Sequence, residues 1–409
     1  MADVLVSDRL QPGSVEELAA LIAGRNAPVE LLGHGSKRGF GRPVEGAALD
    51  LSRLSGISLY EPAELVLSAG AGTPLAEIEA ALGACGQMLA FEPPDLGAVY
   101  GGPAGRGTLG GLLACNLSGP RRVKAGAARD YFLGATAVNG SGEIFKTGGR
   151  VMKNVTGYDL CKLLAGSFGT LAAIAAATIK LLPRPEASRT VLLRGLDDAS
   201  AVVAMCKALG SAQEVTAAAH LPADVVRHLP IAGAQGALTA LRLEGLASSL
   251  AGRRAALLSE LALAGEEPAE PESEALWRAL RDVGPLGVET GTLWRLSVPP
   301  TAGAVVMTAL APVLDGRGRH FYDWGGGLIW LALAEARDVD QVQRDAAAVR
   351  TALAAVGGHA TLIRADAGIR AAVEVFQPQD AALRGLTQRV KRSFDPLGRL
   401  NPGRMYRGV

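Results

Sequence analysis

Short apolar blocks alternate along this chain with glycine turns and amphipathic stretches, and that rhythm sets the expected elements. Residues 14–25 carry a helical period, with Ser14 placed as N-cap and Glu17 three residues on as its capping-box partner. The run Val29-Glu30-Leu31-Leu32 reads as a strand that delivers a glycine loop. Residues 50–54 and 65–69 read as further strands. The second of them runs into Gly70-Ala71-Gly72-Thr73-Pro74, where Thr73 can cap and Pro74 can start a helix over 75–82. The richest apolar run, 171–182, is broken by Thr178 and Lys180 and stops at Pro183. It predicts a buried strand or helix, since a membrane span needs about 20 strongly apolar residues.

The pattern changes around Pro183-Arg184-Pro185, where proline spacing interrupts the periodicity and marks a domain boundary. Beyond it, strand-like runs (190–193, 237–243, 292–298, 328–333) alternate with helical ones (199–209, 248–263, 302–314, 339–356), which predicts an α+β module on an antiparallel sheet. A last helix over 381–394 leads into the turn-rich Asp395-Pro396-Leu397-Gly398-Arg399-Leu400-Asn401-Pro402-Gly403, a tail expected to pack back on the first domain. The expected division is 1–185, 186–380 and 381–409.

At 409 residues and 49% apolar composition the chain can bury a sizeable core. A net charge of +1 argues against a dedicated nucleic-acid binder. Arg121-Arg122-Val123-Lys124 is the one short basic cluster of note, read as a solvated loop before an anion or partner contact. Cys85, Cys115, Cys161 and Cys206 are widely separated without a CxxC pair, so neither a disulfide framework nor an iron-sulfur cluster held by this chain alone is expected. The start, Met1 to Asp8, lacks the basic and apolar regions of a signal peptide, which points to the cytoplasm.

The chemistry lies in the glycine clusters. Gly33-His34-Gly35-Ser36-Lys37-Arg38-Gly39 and Gly107-Thr108-Leu109-Gly110-Gly111 each follow a strand-like run, and a third cluster spans Gly157-Tyr158-Asp159-Leu160 and Gly166-Ser167-Phe168-Gly169-Thr170-Leu171. Backbone N–H groups can converge on a diphosphate only where the chain turns tightly and carries no obstructing Cβ. The first loop would wrap the diphosphate, with Ser36 adding a hydroxyl, and the second would approach with a helix N-terminus. No G-x-G-x-x-G with an acidic residue at dinucleotide spacing follows the first strand, so a nicotinamide cofactor is not supported.

These segments resemble the FAD-binding family whose archetypes are vanillyl-alcohol oxidase and p-cresol methylhydroxylase, and within it the bacterial glycolate oxidase group. Thr108-Leu109-Gly110-Gly111 with Ala114-Cys115-Asn116-Leu117-Ser118-Gly119 is similar to the family's T-[IL]-G-G-x-x-A-x-N-x-[AS]-G element. Gly157 to Leu160 with Gly166 to Leu171, and Phe394-Asp395-Pro396 with Leu400-Asn401-Pro402-Gly403, resemble two further elements in the family's order. Tyr322-Asp323-Trp324-Gly325-Gly326 and Leu293-Trp294-Arg295-Leu296-Ser297-Val298-Pro299 resemble FAD-binding subunits of that group.

The resemblance implies an α+β fold: a two-lobed FAD-binding domain of the p-cresol methylhydroxylase type, an α+β cap domain on an antiparallel sheet, and a tail returning to the first domain. It implies FAD held by Gly33, His34, Gly35, Ser36 and Lys37, by Thr108, Gly110, Gly111, Asn116, Ser118 and Gly119, by Gly166, Gly169 and Thr170, and by Asn401. Relatives that attach the flavin covalently carry a histidine directly before a serine or threonine. Gly35 holds that place here and His34 lies one residue earlier, so the expected FAD is non-covalent.

Oxidising a 2-hydroxy acid requires a cation for the carboxylate and a proton acceptor near the flavin. Arg295 and Arg364 are the carboxylate candidates, and His320 and His359 the available bases. Relatives that oxidise such acids alone carry a G-D-G-N-x-H segment and further metal-binding histidines. This chain has Asp323-Trp324-Gly325-Gly326-Gly327 there, so no metal is expected. The resemblance thus implies a subunit working with a second FAD-binding subunit and an iron-sulfur subunit, peripheral on the inner face of the membrane. A stand-alone 2-hydroxy-acid dehydrogenase and a subunit with purely structural FAD remain alternatives.

Overall fold

The computed structural model describes residues 9–149, 157–229, 235–287, 291–336 and 338–409; the leader expectation on Met1 to Asp8 lies outside them. Ser14 caps the helix Val15–Ala23 by accepting from the Glu17 N–H, and the Glu17 carboxylate reaches back to the N–H of Gly13. Strand β1 (Val29–Leu32) pairs in parallel with β2 (Ala47–Asp50). Next come β3 (Ile57–Glu61), β4 (Val66–Gly70), the short β5 (Gln87–Met88), β6 (Phe132–Asn139), β7 (Ile144–Gly148), β8 (Ala172–Lys180) and the short β9 (Leu182–Pro183). A five-stranded antiparallel sheet has the order β3-β4-β8-β6-β7, and β5 pairs with β9.

Two expectations change here. Residues 51–54 do not continue a strand, because buried Asp50 accepts from the Ser52 N–H at 2.9 Å and turns the chain. Thr73 does not cap the helix Leu75–Ala84; its hydroxyl donates to the Gly70 carbonyl and accepts from the Gly56 N–H, leaving Pro74 at the N-cap position. The apolar run 171–182 resolves as a strand. The alanines of β8 are flat enough for a helix to lie on one face while Ala173 and Ala175 on the other join Leu18, Ile22, Leu49 and Leu400 in a second core.

The second sheet is antiparallel throughout: β10 (Ala187–Arg194), β11 (Val215–Leu221), β12 (Leu238–Gly245), β13 (Thr292–Ser297), β14 (Gly318–Asp323), β15 (Leu328–Leu333) and β16 (His359–Arg364), in the order β10-β12-β11-β14-β15-β13-β16. Helices Asp198–Leu209, Ala247–Leu261, Gly303–Leu314 and Val339–Ala354 cover one face. Strand alternation places Arg242, Glu244, Asp323, Trp330 and Arg295 on the other, which is turned to the first domain. None of the helices among the described residues is long and apolar enough to cross a membrane.

Two polar assemblies fix the parts together. At the seam, Glu92 and Arg121 of the first domain interlock with Arg242 and Glu244 of the second: Arg242 makes two bonds to Glu92 at 2.9 and 2.7 Å, and Arg121 bridges Glu92 and Glu244. Arg121 therefore lies in an interdomain ion network and not in a solvated loop. The other assembly is the tail. After the helix Ala381–Phe394, buried Asp395 accepts from Lys391 Nζ and from the N–H groups of Arg399 and Leu400, while Lys391 also donates to the carbonyls of Thr170 and Leu400. The straightened tail then pairs beside β1, Val29 N–H to Arg399 O at 2.8 Å and Asn401 N–H to Val29 O at 3.1 Å.

Removing one member of a buried network strands its partners. Arg242→Met is expected to cost about 3–5 kcal/mol in urea denaturation, whereas Arg129→Ala, in an exposed pair with Asp130, is expected to cost less than about 1 kcal/mol. Burial pushes Glu244 up, yet Arg242 and Arg121 outweigh it and hold the carboxyl at about 2, below its ordinary 4.5. That stabilisation is complete above pH 4.5 and is lost as pH falls toward 2, so the stability profile of Glu244→Gln should be flatter than wild type across this window. Asn401→Ala removes an acceptor for the Leu31 N–H and a donor to the Phe168 carbonyl; a loss of about 1–3 kcal/mol is expected in the same measurement.

Candidate cofactor-binding site

A concave cleft lies where the first two glycine loops, the end of the third and the tail converge. Its walls include Gly33, His34, Gly35, Ser36 and Lys37, then Thr108, Gly110 and Gly111, then Phe168 and Gly169, and finally Asn401 and Arg404. The loop leaving β1 turns through Gly35 at φ +75°, a left-handed conformation that favours glycine. The N–H groups of His34, Gly35, Ser36 and Lys37 find no acceptor among the described residues, which leaves a run of donors at the rim.

The second loop is pressed against its neighbours. A Cβ on Gly33 would come within 2.6 Å of Thr108 Oγ1, and one on Gly110 within 2.6 Å of the Ala71 Cβ. Thr108 caps the helix Leu109–Cys115 by accepting from the Gly111 N–H at 3.3 Å. The N–H groups of Leu109 and Gly110 are already spent on the Thr73 and Ala71 carbonyls. The free backbone donors thus belong to the first loop, and the second supplies close approach and the cap.

Lys37 projects among these groups, its Nζ 3.3 Å from Ser36 Oγ and with no carboxylate in ion-pair range among the described residues. Burial pulls its ammonium below the ordinary lysine value, an effect that nearby Cys115 and Asp95 only oppose. At the end of the third cluster, Phe168 sits at φ +54° and packs edge-on to Phe40 and Phe376, with ring centroids 4.7 and 4.9 Å away. The tail holds this geometry. Asn401 bridges Leu31 and Phe168, and the Arg404 guanidinium takes Glu30 Oε1 at 2.6 Å and the carbonyls of Arg38, Phe40 and Arg42.

Of the fifteen residues that the sequence suggests for the cofactor, ten line the cleft: Gly33, His34, Gly35, Ser36, Lys37, Thr108, Gly110, Gly111, Gly169 and Asn401. The other five make local ties beside it. Asn116 closes the helix Leu109–Cys115 at φ +49° and accepts from the Arg129 N–H; Ser118 accepts from the Ala128 N–H. Gly119 lies so close to the Glu92 carbonyl that a Cβ would stand 2.5 Å from it. Gly166 turns at φ +80°, and Thr170 donates to the Ser167 carbonyl while accepting Lys391. Arg404, Phe40 and Phe168 were not singled out by sequence; the arginine's place directly after the Asn401-Pro402-Gly403 turn was the available signal.

The second-domain candidates separate. Arg295 lies on the face turned to the first domain, its Cζ 5.1 Å from the centre of the Trp324 ring. Burial lowers it to about 10, with Arg122 adding to the effect and Asp323 opposing it. Asp323 is itself pushed up to about 7 by burial, although it accepts from the Trp324 N–H at 2.7 Å. Arg364 instead borders a second cleft beside Gly35, Ser36 and Tyr100, reaching the Gly291 and Val99 carbonyls. His320 faces the helical side, where it shares Asp198 with buried His220 and with the Tyr322 hydroxyl at 2.7 Å. His359 is exposed at the start of β16. Among the described residues no group of three or more His, Cys, Asp or Glu is placed to hold a metal ion.

The cleft suits a dinucleotide diphosphate on its own terms: converging donors, an unneutralised lysine and glycines whose absent side chains leave the space. Residues 9–148 match the family model described as FAD binding domain. The chain is 38% identical over 384 residues to glycolate oxidase subunit GlcE of Escherichia coli K12, covering 93% of each. It is 41% identical over 102 residues to glycolate oxidase subunit GlcD of Bacillus subtilis, 25% of this chain and 21% of that one. The structure of p-cresol methylhydroxylase superposes with a TM-score of 0.71 at 15% identity, over 96% of this chain and 87% of that one. With a match that spans 93% of both chains, and so reaches across both sheets, the chain belongs to the GlcE family of FAD-dependent oxidoreductases, built on the fold of p-cresol methylhydroxylase.

Proposed function

We propose that this chain is the FAD-binding subunit of a multi-subunit glycolate oxidase, which oxidises glycolate or a close 2-hydroxy acid and passes the electrons to an iron-sulfur partner. The observation that carries the reading is the match to GlcE across both domains at nearly full length. The similarity to GlcD over a quarter of this chain supports a second, related flavoprotein subunit as partner. Peripheral membrane attachment, on this reading, comes through the complex.

In this proposal the first glycine loop and Lys37 hold the diphosphate, with Thr108, Gly110, Gly111, Gly169 and Asn401 closing around the cofactor; Asn116, Ser118, Gly119, Gly166 and Thr170 support that shape from outside. The FAD is non-covalent, since Gly35 separates His34 from Ser36. When bound, FAD supplies a two-electron acceptor for the substrate C–H bond. The chain's own part is to orient the acid and exclude water. Arg295 and Arg364 are the proposed carboxylate partners, and Arg295 has the stronger case because its charge is poorly compensated where the two domains meet.

Purified alone, the chain is expected to show a visible flavin spectrum that stays oxidised under anaerobic glycolate or D-lactate and bleaches once the partner subunits are added. Bleaching of the lone chain would instead establish a stand-alone dehydrogenase, and a colourless protein would remove the FAD assignment. Lys37→Gln is expected to weaken FAD binding about tenfold, the loss of one charge-assisted contact. Gly110→Val should abolish flavin retention, because its Cβ would collide with Ala71; flavin content after gel filtration reads both.

A further inference from the structure

The basic pair Arg121-Arg122 divides on folding. Arg121 enters the network with Glu92 and Glu244, whereas Arg122 turns to Trp324, its Cζ 4.5 Å from the ring centre. Arg295 approaches the same ring from the second domain at 5.1 Å. The two guanidinium groups therefore lie within about 10 Å of each other, a range over which like charges in a partly dry seam repel appreciably. Neither has a hydrogen bond or ion pair among the described residues. Burial and both arginines disfavour the charged form of the neighbouring His359, while Asp130 is the carboxyl that acts on Arg122 and Asp323 the one that acts on Arg295.

The ring that both approach is fixed. Trp324 Nε1 donates to the Gly119 carbonyl at 3.0 Å, and its backbone stands at φ +53°, a strained value for a bulky residue. An indole face attracts each cation but neutralises neither. A carboxylate would do so, offering two oxygens to two planar forks.

We propose that Arg122 and Arg295, held against Trp324, form a split seat for the carboxylate of a small 2-hydroxy acid, one guanidinium supplied by each domain. This deepens, and rests on, the reading that the chain handles such an acid. The seat makes substrate binding an interdomain contact, and Arg122 and Trp324 become positioning residues for it.

The test uses the full chain loaded with FAD, titrated calorimetrically with oxalate, an analogue that has no C–H bond to oxidise. Arg122→Gln and Arg295→Gln are each expected to weaken oxalate binding about tenfold or more. Arg129→Gln, which removes an exposed positive charge from the next helical turn, should change it less than about twofold. Should Arg295→Gln fail to fold, Arg295→Lys decides in its place, since it keeps the charge and loses the fork. Absence of oxalate binding by the wild type, or affinity within about twofold of wild type in either arginine variant, would overturn the split seat. A flavin spectrum recorded before titration separates this result from failure of the functional reading, which would appear as a wild-type chain without FAD.

Discussion

Everything at the cofactor cleft depends on one buried guanidinium. Arg404 is 4% exposed, and a buried arginine must find acceptors for its donors or it is not tolerated. It finds them in Glu30 at the strand and in the carbonyls of Arg38, Phe40 and Arg42 along the loop. The far end of the loop, residues 38–42, is thereby anchored to the tail, while the N–H groups of residues 34–37 at its near end keep no acceptor among the described residues and line the cleft. Asn401 and the Lys391–Asp395 pair place Arg404 where this happens.

The seam between the domains follows a different logic from the tail. There Glu92, Arg121, Arg242 and Glu244 alternate in sign and satisfy one another, while Trp277 lies 4.7 Å beneath the Arg242 guanidinium. A few residues away, Arg122, Arg295 and His359 gather without comparable compensation. A neutralised network holds the domains in register, and next to it an unneutralised one leaves attraction for an anion.

The sequence discloses what is local and hides what is assembled. The strand over Val29–Leu32, the capped helix from Ser14, the four helices that cover one face of the second sheet and the returning tail were all legible, because each rests on a period, a cap or a turn within a few residues, whereas the helix Glu270–Arg281 was not. The strand Val215–Leu221 was not, since its Ala217-Ala218-Ala219 core carries little strand preference and is decided by pairing to β12. Likewise β14 and β16 depend on neighbours brought from elsewhere in the chain. At the site, glycine clusters revealed the cleft, yet they did not distinguish Gly110, which touches it, from Gly119, which packs against Glu92. Nor does a run of two arginines tell that one enters an ion network and its neighbour stacks on an indole; that is decided by what the second sheet brings to each, Glu244 to Arg121 and Trp324 to Arg122.

The tail's return has a consequence for how the protein comes into being. Leu31 and Asn401, which meet through one side-chain amide, are 370 residues apart, and the whole cap sheet is made between them. A growing polypeptide that has displayed all three glycine clusters still lacks Asn401 and Arg404, so its first loop has nothing to bend around. Completion of the cleft is consequently among the last events of biogenesis, and a ribosome that stops anywhere within the cap releases a chain that has every glycine of the cleft and none of the tail contacts that hold the first loop.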